Sequence, residues 1–260
     1  MARVFITGSS DGLGLMAGQL LSREGHEVVA HVRNESRAAV TKSALPQASA
    51  VVVGDLSTLA GMREVAKVAN TTGRFDAVIH NAAVGSAEGH RVTPDNLSHV
   101  FAINVLAPYV LTALIELPER LVYMSSGMHR GGRAGLEDLQ WEHRRWSGSQ
   151  AYSDSKLFVA ALGAAVARHR GDVCSNAVDP GWVATKMGGP SAPDDLEMGY
   201  VTQAWLAVSA DPEAQVSGRF FFHKHAVQSH PSMHDECFQE ALLSACAALS
   251  GLELFATGRD

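Results

Sequence analysis

The sequence predicts an α/β protein: one doubly wound parallel sheet of about seven strands, with helices on both faces. Three observations predict it. Short β-branched runs alternate with stretches of helical apolar spacing along most of the chain. The connections between them are short, as right-handed crossovers within one sheet require. The first strand also hands over to the first helix through a glycine-rich turn.

Taken in order, Arg3–Thr7 is a β-branched run stopped by Gly8, and apolar residues then recur at helical spacing from Leu13 to Glu24. The rhythm continues with a strand at Glu27–Val32, a helix at Glu35–Leu45, a strand at Ala50–Val53, a helix at Thr58–Thr71 and a strand at Phe75–His80. The second half gives a long apolar helix over Leu97–Leu117, a strand at Arg120–Met124, a helix from Tyr152 to about Arg168, and strands at Val173–Val178 and Arg219–Phe222. Asp235 to Leu249 reads as an amphipathic helix that either covers a sheet edge or joins a subunit contact. Two segments break the rhythm, Gly127–Gln150 and Lys186–Gly199, and long irregular connections in a compact α/β fold usually carry function. No repeat, low-complexity tract or boundary interrupts the pattern, so residues 1–260 are expected to form a single domain.

Composition narrows the function classes. With 46% hydrophobic and 18% charged residues the chain is an ordinary globular one, and its net charge of −6 argues against a nucleic-acid partner. Three cysteines, Cys174, Cys237 and Cys246, are too few and too odd in number for a disulfide framework and fit a reducing compartment. The apolar run that begins at Val4 leaves no room for a targeting peptide, and no apolar stretch approaches the ~18 residues of a membrane span. A cytoplasmic location without membrane insertion is therefore expected.

The turn Thr7-Gly-Ser-Ser-Asp-Gly-Leu-Gly14 stands between a strand and a helix. There Gly8 permits the tight turn, Gly12 lets backbone approach a pyrophosphate, and Gly14 brings helix and strand together, with the helix N-terminus facing the negative charge. This makes the sheet a Rossmann-type dinucleotide fold, and Ser10 and Leu13 are placed beside the cofactor with the glycines. At the end of the second strand, Val32-Arg33-Asn34 offers no carboxylate for ribose hydroxyls, while the Arg33 guanidinium suits a 2′-phosphate. NADP(H) is thereby favoured over NAD(H).

Tyr152 and Lys156 are four residues apart, which puts a phenol and an ammonium on one helix face. A free tyrosine must come down by roughly three pH units to exchange protons near neutrality, about 4 kcal/mol. A cation about 4 Å away at an effective dielectric near 20 supplies a comparable amount. The pair can thus be a proton donor, although the same spacing also occurs in helices with no chemistry.

Together these residues resemble the short-chain dehydrogenase/reductase family over most of the chain. Thr7 with Gly-x-x-x-Gly-x-Gly matches its cofactor turn, and Asn81-Ala82-Ala83 matches its Asn-Ala-Gly segment, with Ala83 where glycine is usual and His80 where asparagine is common. Asn104, Ser126, Tyr152 and Lys156 fall in the order of its catalytic residues, and Pro180-Gly181-Trp-Val183-Ala-Thr185 matches the segment that closes over the nicotinamide. The resemblance implies that Tyr152 exchanges a proton with a carbonyl or alcohol oxygen while hydride moves, that Ser126 rather than Ser125 hydrogen-bonds that oxygen, and that Lys156 lowers the tyrosine pKa and holds the nicotinamide ribose. It further implies that Asn104 holds a water linking Lys156 to solvent, and that Asp55, with Leu56, contacts adenine. The resemblance implies a homo-oligomer, dimer or tetramer, formed through the Asn104 and Tyr152 helices, with a monomer as the alternative.

Ser126 and Tyr152 are 26 positions apart, about twice the spacing of compact members, which resembles the retinol-dehydrogenase-like and carbonyl-reductase branch. The added segment holds Trp141, His143, Arg144, Arg145 and Trp146, which could wall a bulky substrate or simply pack the loop down. His223, His225, His230 and His234 are read as surface or hydrogen-bonded histidines, with no metal, because Pro231 interrupts the His230/His234 spacing. Two other functions share the fold class: a cofactor-sensing protein without turnover, and a sugar-nucleotide epimerase or dehydratase, whose additional substrate domain this length scarcely accommodates.

Overall fold

The protein is described from a computed structural model over residues 1–255. Its sheet has eight strands in the order β3-β2-β1-β4-β5-β6-β7-β8. These are β1 (Arg3–Ile6), β2 (Glu27–Val32), β3 (Ala50–Val53), β4 (Ala77–His80), β5 (Arg120–Met124), β6 (Cys174–Asp179), β7 (Phe220–Phe222) and β8 (His225–Ala226). The first seven pair in parallel, and β8 folds back antiparallel on β7 through His223 and Lys224, both at positive φ. The two-residue β8 raises the count from the expected seven; it is too short to leave a periodic signature.

Helices α1 (Gly12–Arg23), α2 (Glu35–Ala44) and α3 (Leu59–Thr71) alternate with the first four strands. Side chains alternate across the sheet, so Val4 and Ile6 pack with Leu21 of α1 and Ala204 and Leu206 of α7 (Leu196–Val208), while Phe5 faces α3. On that second side lie α5 (Ala107–Leu114), α6 (Gly148–His169) and α8 (Glu236–Ser250).

Three elements differ instructively from expectation. The long helix of residues 97–117 is shorter and broken in register: α4 (His99–Phe101) runs into a π-helical turn, Ala102–Leu106, before α5. It starts late because Asn96 takes a left-handed turn, and it ends at Ile115, three residues before Pro118, which disfavours helical backbone at the residue preceding it. Helix α6 starts at Gly148, four residues ahead of Tyr152, because the Ser147 hydroxyl accepts the Gln150 N–H as an N-cap. Helix α7 emerges from the segment read as irregular; the Asp195 carboxylate caps it on the Glu197 and Met198 N–H groups.

The C-terminal helix covers another helix, not a sheet edge. It packs on α6, with Phe238 against Phe158 at 5.7 Å between ring centroids, and the following turn ties to α5 through Tyr109 Oη, which donates to the Leu252 carbonyl at 2.7 Å. Nearly every α6 residue from Ala151 to Val166 is buried within the single chain, as is the whole stretch from His99 to Thr112. Of the two helices expected to carry a subunit contact, α6 is packed under α8 and α5 against α3. No helix of the described residues is long and apolar enough to cross a membrane.

Candidate active site

The strand order reverses direction beside β1: the chain moves outward to β2 and β3, then returns to place β4 on the other side of β1. Two loops must diverge there, and the crevice between them is where doubly wound sheets bind ligands. A cleft of about 370 Å³ opens at this point, bounded by the glycine-rich turn, the ends of β2, β3 and β4, and Tyr152 and Lys156 of α6.

The turn is held by side chains beneath it. Gly8 has φ +68° and lies so close to Ala82 that an added Cβ would sit 2.8 Å from its Cα. The Gly8 N–H donates to His31 Nδ1 at 3.1 Å, while His31 Nε2–H donates to the Gly54 carbonyl at 2.9 Å, so the ring is neutral and bridges β2 to the turn. Burial agrees, pushing the His31 pKa down to about 4. A Cβ on Gly14 would stand 2.4 Å from Asn81 Nδ2, an amide that donates to the Thr7 and Gly8 carbonyls at 2.9 and 3.1 Å.

The expected cofactor residues fall into two groups. Gly8, Ser10, Gly12, Leu13, Arg33, Asp55, Leu56, Asn81, Ala82, Ala83, Pro180 and Thr185 line the cleft with Tyr152 and Lys156. Thr7, Gly14, Gly181 and Val183 do not. The Thr7 hydroxyl is committed to the Asn81 and Ala82 N–H groups, both at 2.9 Å, and Gly14 is packed under Asn81. The Gly181 N–H donates to Asp179 at 3.0 Å, and Val183 is buried in a bridge with Asp194. These four shape the wall without facing the ligand space. His80, the departure from the family pattern, points to the core: Nε2 meets the Thr112 hydroxyl at 3.1 Å and the ring stacks on Tyr123.

At the inner end, Lys156 is buried and its Nζ donates to the Met124 carbonyl at 2.8 Å, 5.4 Å from the centroid of the Tyr152 ring. The Ser125 hydroxyl is spent on the Lys156 carbonyl at 2.8 Å. That of Ser126 lies against the Tyr152 phenol and also accepts the Met128 N–H at 3.2 Å, although Ser126 is not part of the cleft lining. Burial pushes the phenol up to about 12, with the Asp179 charge acting the same way and the Ser126 bond opposing it. Burial also brings the lysine down to about 7. The expectation that a full ammonium lowers the tyrosine pKa is thus not met by the protein alone: desolvation weakens the cation that was to do it.

Asn104 is held by protein groups. It sits in the π-helical turn, buried, with Oδ1 accepting the Val84 N–H at 2.9 Å and Nδ2 donating to the Val84 carbonyl and the Ser155 hydroxyl at 3.1 and 3.0 Å. Its side-chain amide is therefore committed to protein groups, and it fixes Val84, which does line the cleft.

The sequence reading missed His31, Asp11, Arg37, Lys186 and Met187, all of which line the cleft. His31 was detectable as the one polar side chain inside the apolar Val28–Val32 run. The irregular 127–150 segment is anchored by its own residues: Trp141 is buried under the Arg144 guanidinium, 3.6 Å from the ring centroid, and meets Trp146 edge-on at 5.1 Å. Trp141 therefore packs the loop down. Trp146 packs in the same cluster as Val84.

The family model for the short chain dehydrogenase matches residues 2–196. The chain belongs to the short-chain dehydrogenase family. This dehydrogenase is 42% identical over 257 residues to an uncharacterized oxidoreductase of Emericella nidulans, covering 97% of this chain and 98% of the other. It is 27% identical over 281 residues to human retinol dehydrogenase 13, covering 96% and 85%, in keeping with the retinol-dehydrogenase-like branch. Among solved structures, an uncharacterized protein from Mycobacterium paratuberculosis shares the fold at a TM-score of 0.85 with 25% identity, covering 98% and 95%. A Shigella flexneri short chain dehydrogenase complexed with NADP shares it at a TM-score of 0.65 with 24% identity, covering 86% and 97%.

Proposed function

We propose that this dehydrogenase is an NADP(H)-dependent oxidoreductase that acts on the carbonyl or secondary alcohol of a small, bulky apolar or aromatic substrate, with residues 1–260 working as one cofactor-binding domain. The observation that carries the reading is the placement of the Tyr152 phenol and the Lys156 amine in the same cleft as the glycine-rich turn, with the Ser126 hydroxyl against the phenol. The cofactor fits what is present: a turn in which Gly8 and Gly14 leave no space for a Cβ, an open Gly12, and guanidinium groups at the cleft's outer end.

When bound, the nicotinamide supplies or accepts the hydride. The protein's own residues do the rest. Tyr152, protonated at neutral pH, is the donor to a carbonyl oxygen and, in the reverse sense, the acceptor from an alcohol. Ser126 donates to the same oxygen as negative charge develops there. Lys156 holds the nicotinamide ribose and shares protons with the tyrosine; at a pKa of about 7 it changes charge in the working range. Asn104 positions the Val84 segment and Asn81 fixes the turn. Asp55 and Leu56 are placed for adenine, and Pro180 and Thr185 for the nicotinamide side of the cleft.

Arg33 lies exposed on the cleft rim at the end of β2, where no carboxylate stands beside it in sequence, and this supports the preference for a 2′-phosphate. The solved relative that carries NADP is consistent with a nicotinamide cofactor. An apolar substrate is supported by Met128, Trp182 and Met187, large side chains left 40%, 61% and 55% exposed in the loops bordering the site. The free cysteines suit the cytoplasm. A homo-oligomer, dimer or tetramer, remains part of the proposal.

NADPH and NADH consumption across a panel of aromatic and aliphatic carbonyls tests the reading. Turnover with NADPH on bulky ketones or aldehydes is expected, and Arg33→Ala should weaken NADPH about tenfold or more while sparing NADH. Cofactor binding with no turnover on any carbonyl would favour the sensing protein instead.

A further inference from the structure

His129 is a fully buried ionisable group that the chemistry above leaves without a task, although it stands three residues from Ser126. Its Nδ1–H donates to the Ser126 carbonyl at 2.7 Å, and its backbone N–H donates to the same oxygen at 3.0 Å. Across the ring, Nε2 accepts the His230 N–H at 3.2 Å. A carbonyl only accepts and a backbone N–H only donates, so the two contacts fix the imidazole as the neutral Nδ1–H tautomer. Burial also keeps the His129 pKa below its ordinary value. The ring stacks on Phe220 of β7 at 4.1 Å between centroids.

The segment that meets the far side of the ring is itself anchored. The Val227 N–H donates to the Phe220 carbonyl at 2.8 Å, and Arg130 Nη2 donates to the Gln228 carbonyl at 3.0 Å. Met233, fully buried, packs among Ala160 and Ala164 of α6, Ala177 of β6 and Phe220. His129 thus ties the Ser126 loop to the body that holds α6, the helix carrying Tyr152. Nothing in the loop's own backbone supplies that stiffness. Gly127 follows the serine, where a Cβ would stand 3.0 Å from Asp179 Oδ2, and a glycine leaves the adjoining peptide freer to rotate.

We propose that His129 is a positioning residue for the reaction: by joining the Ser126 carbonyl to the 227–234 segment, it holds the Ser126 hydroxyl where that hydroxyl and the Tyr152 phenol meet one substrate oxygen. The inference rests on the role given to Ser126 above. His129 does not line the cleft, and both its nitrogens are engaged, so it acts through the serine and not as an acid or base. A donor aimed at developing charge loses most of its value when it is displaced by about 1 Å. An unheld serine therefore slows turnover and leaves substrate and cofactor binding nearly as they were.

The test compares three variants of the full chain, assayed with NADPH and a carbonyl that the wild type reduces. His129→Asn keeps an amide N–H where Nδ1 stood, His129→Gln reaches only the place of Nε2, and His129→Phe keeps the stacked ring with neither bond. In the Phe and Gln variants kcat should fall by about thirtyfold, and in the Asn variant by less than about fivefold, with the carbonyl KM and the calorimetric NADPH affinity within about threefold throughout. Added to Ser126→Ala, His129→Phe should slow turnover by less than about twofold more, since the group it positions is already gone. Losses that follow thermal stability instead, equal in Asn and Gln or smallest in Phe, overturn the proposal. Should His129→Phe fail to fold, the comparison of Asn with Gln decides alone. The parent reading fails distinguishably: Ser126→Ala at the wild-type rate removes the serine's role and the proposal with it, whereas a slow Ser126→Ala on which the His129→Phe loss multiplies in full overturns the proposal alone.

Discussion

Lys156 is the residue whose surroundings differ most from what its spacing implied. Buried against the Met124 carbonyl, it has a pKa near 7 in the folded chain and an ordinary 10.5 when unfolded. Between those values the unfolded chain binds the additional proton, so this residue's contribution to stability rises with pH, by roughly 1.4 kcal/mol per pH unit at most. Chemical denaturation of wild type and Lys156→Met at pH 6 and pH 9 should show the wild type gaining about 2 kcal/mol relative to the variant at the higher pH. A difference that stays constant would mean that the amine is ordinary. At this scale the spacing of Tyr152 and Lys156 and the resemblance that named Ser126 pointed to three residues that the fold brings close together. It could not reveal partners. The Asp11–Lys186 contact joins residues 175 positions apart, and whether the Asn104 amide faces water or Val84 depends on a chain segment folded 20 residues away.

Among the elements, those with strong periodicity were legible to within a few residues: the first seven strands of the sheet and helices α1 to α3 follow from alternation and turn chemistry alone. The π-helical turn at Ala102–Leu106 was not, because one extra residue in a helical ladder leaves the apolar pattern almost unchanged. Helix α7 was hidden for a related reason: glycines and prolines before it masked the Asp195 cap, and its apolar residues are spread around the helix. Helix α8 was recognised as amphipathic, but its docking partner was not determined by its own residues. Phe238, 8% exposed against Phe158, is the main aromatic anchor of that docking. Phe238→Ala should lower unfolding stability by about 3 kcal/mol in urea titration and, by loosening α8, uncover apolar surface on α6 that ANS fluorescence would detect. A loss under about 0.5 kcal/mol would show that α8 contributes little to the cover of α6.

Across the whole molecule, the site exists because the strand order reverses beside β1. That reversal gathers the turn after β1, the ends of β2, β3 and β4, the loop after β6 and one face of α6 around a single cleft. The family resemblance named many of the residues that border it, but Thr7, Gly14, Ser126, Gly181 and Val183 lie outside its lining. What the linear pattern could not convey was the electrostatic balance inside: burial raises the Tyr152 phenol to about 12 and lowers Lys156, so the pair is a protonated phenol beside a partly neutral amine. On the proposed reading this phenol is the proton donor. Its most direct test is Tyr152→Phe, assayed for NADPH-linked carbonyl reduction and, by calorimetry, for NADPH affinity. Turnover should fall by at least about a thousandfold, with the NADPH affinity within threefold of wild type. Reduction at a rate near that of the wild type would contradict the assignment.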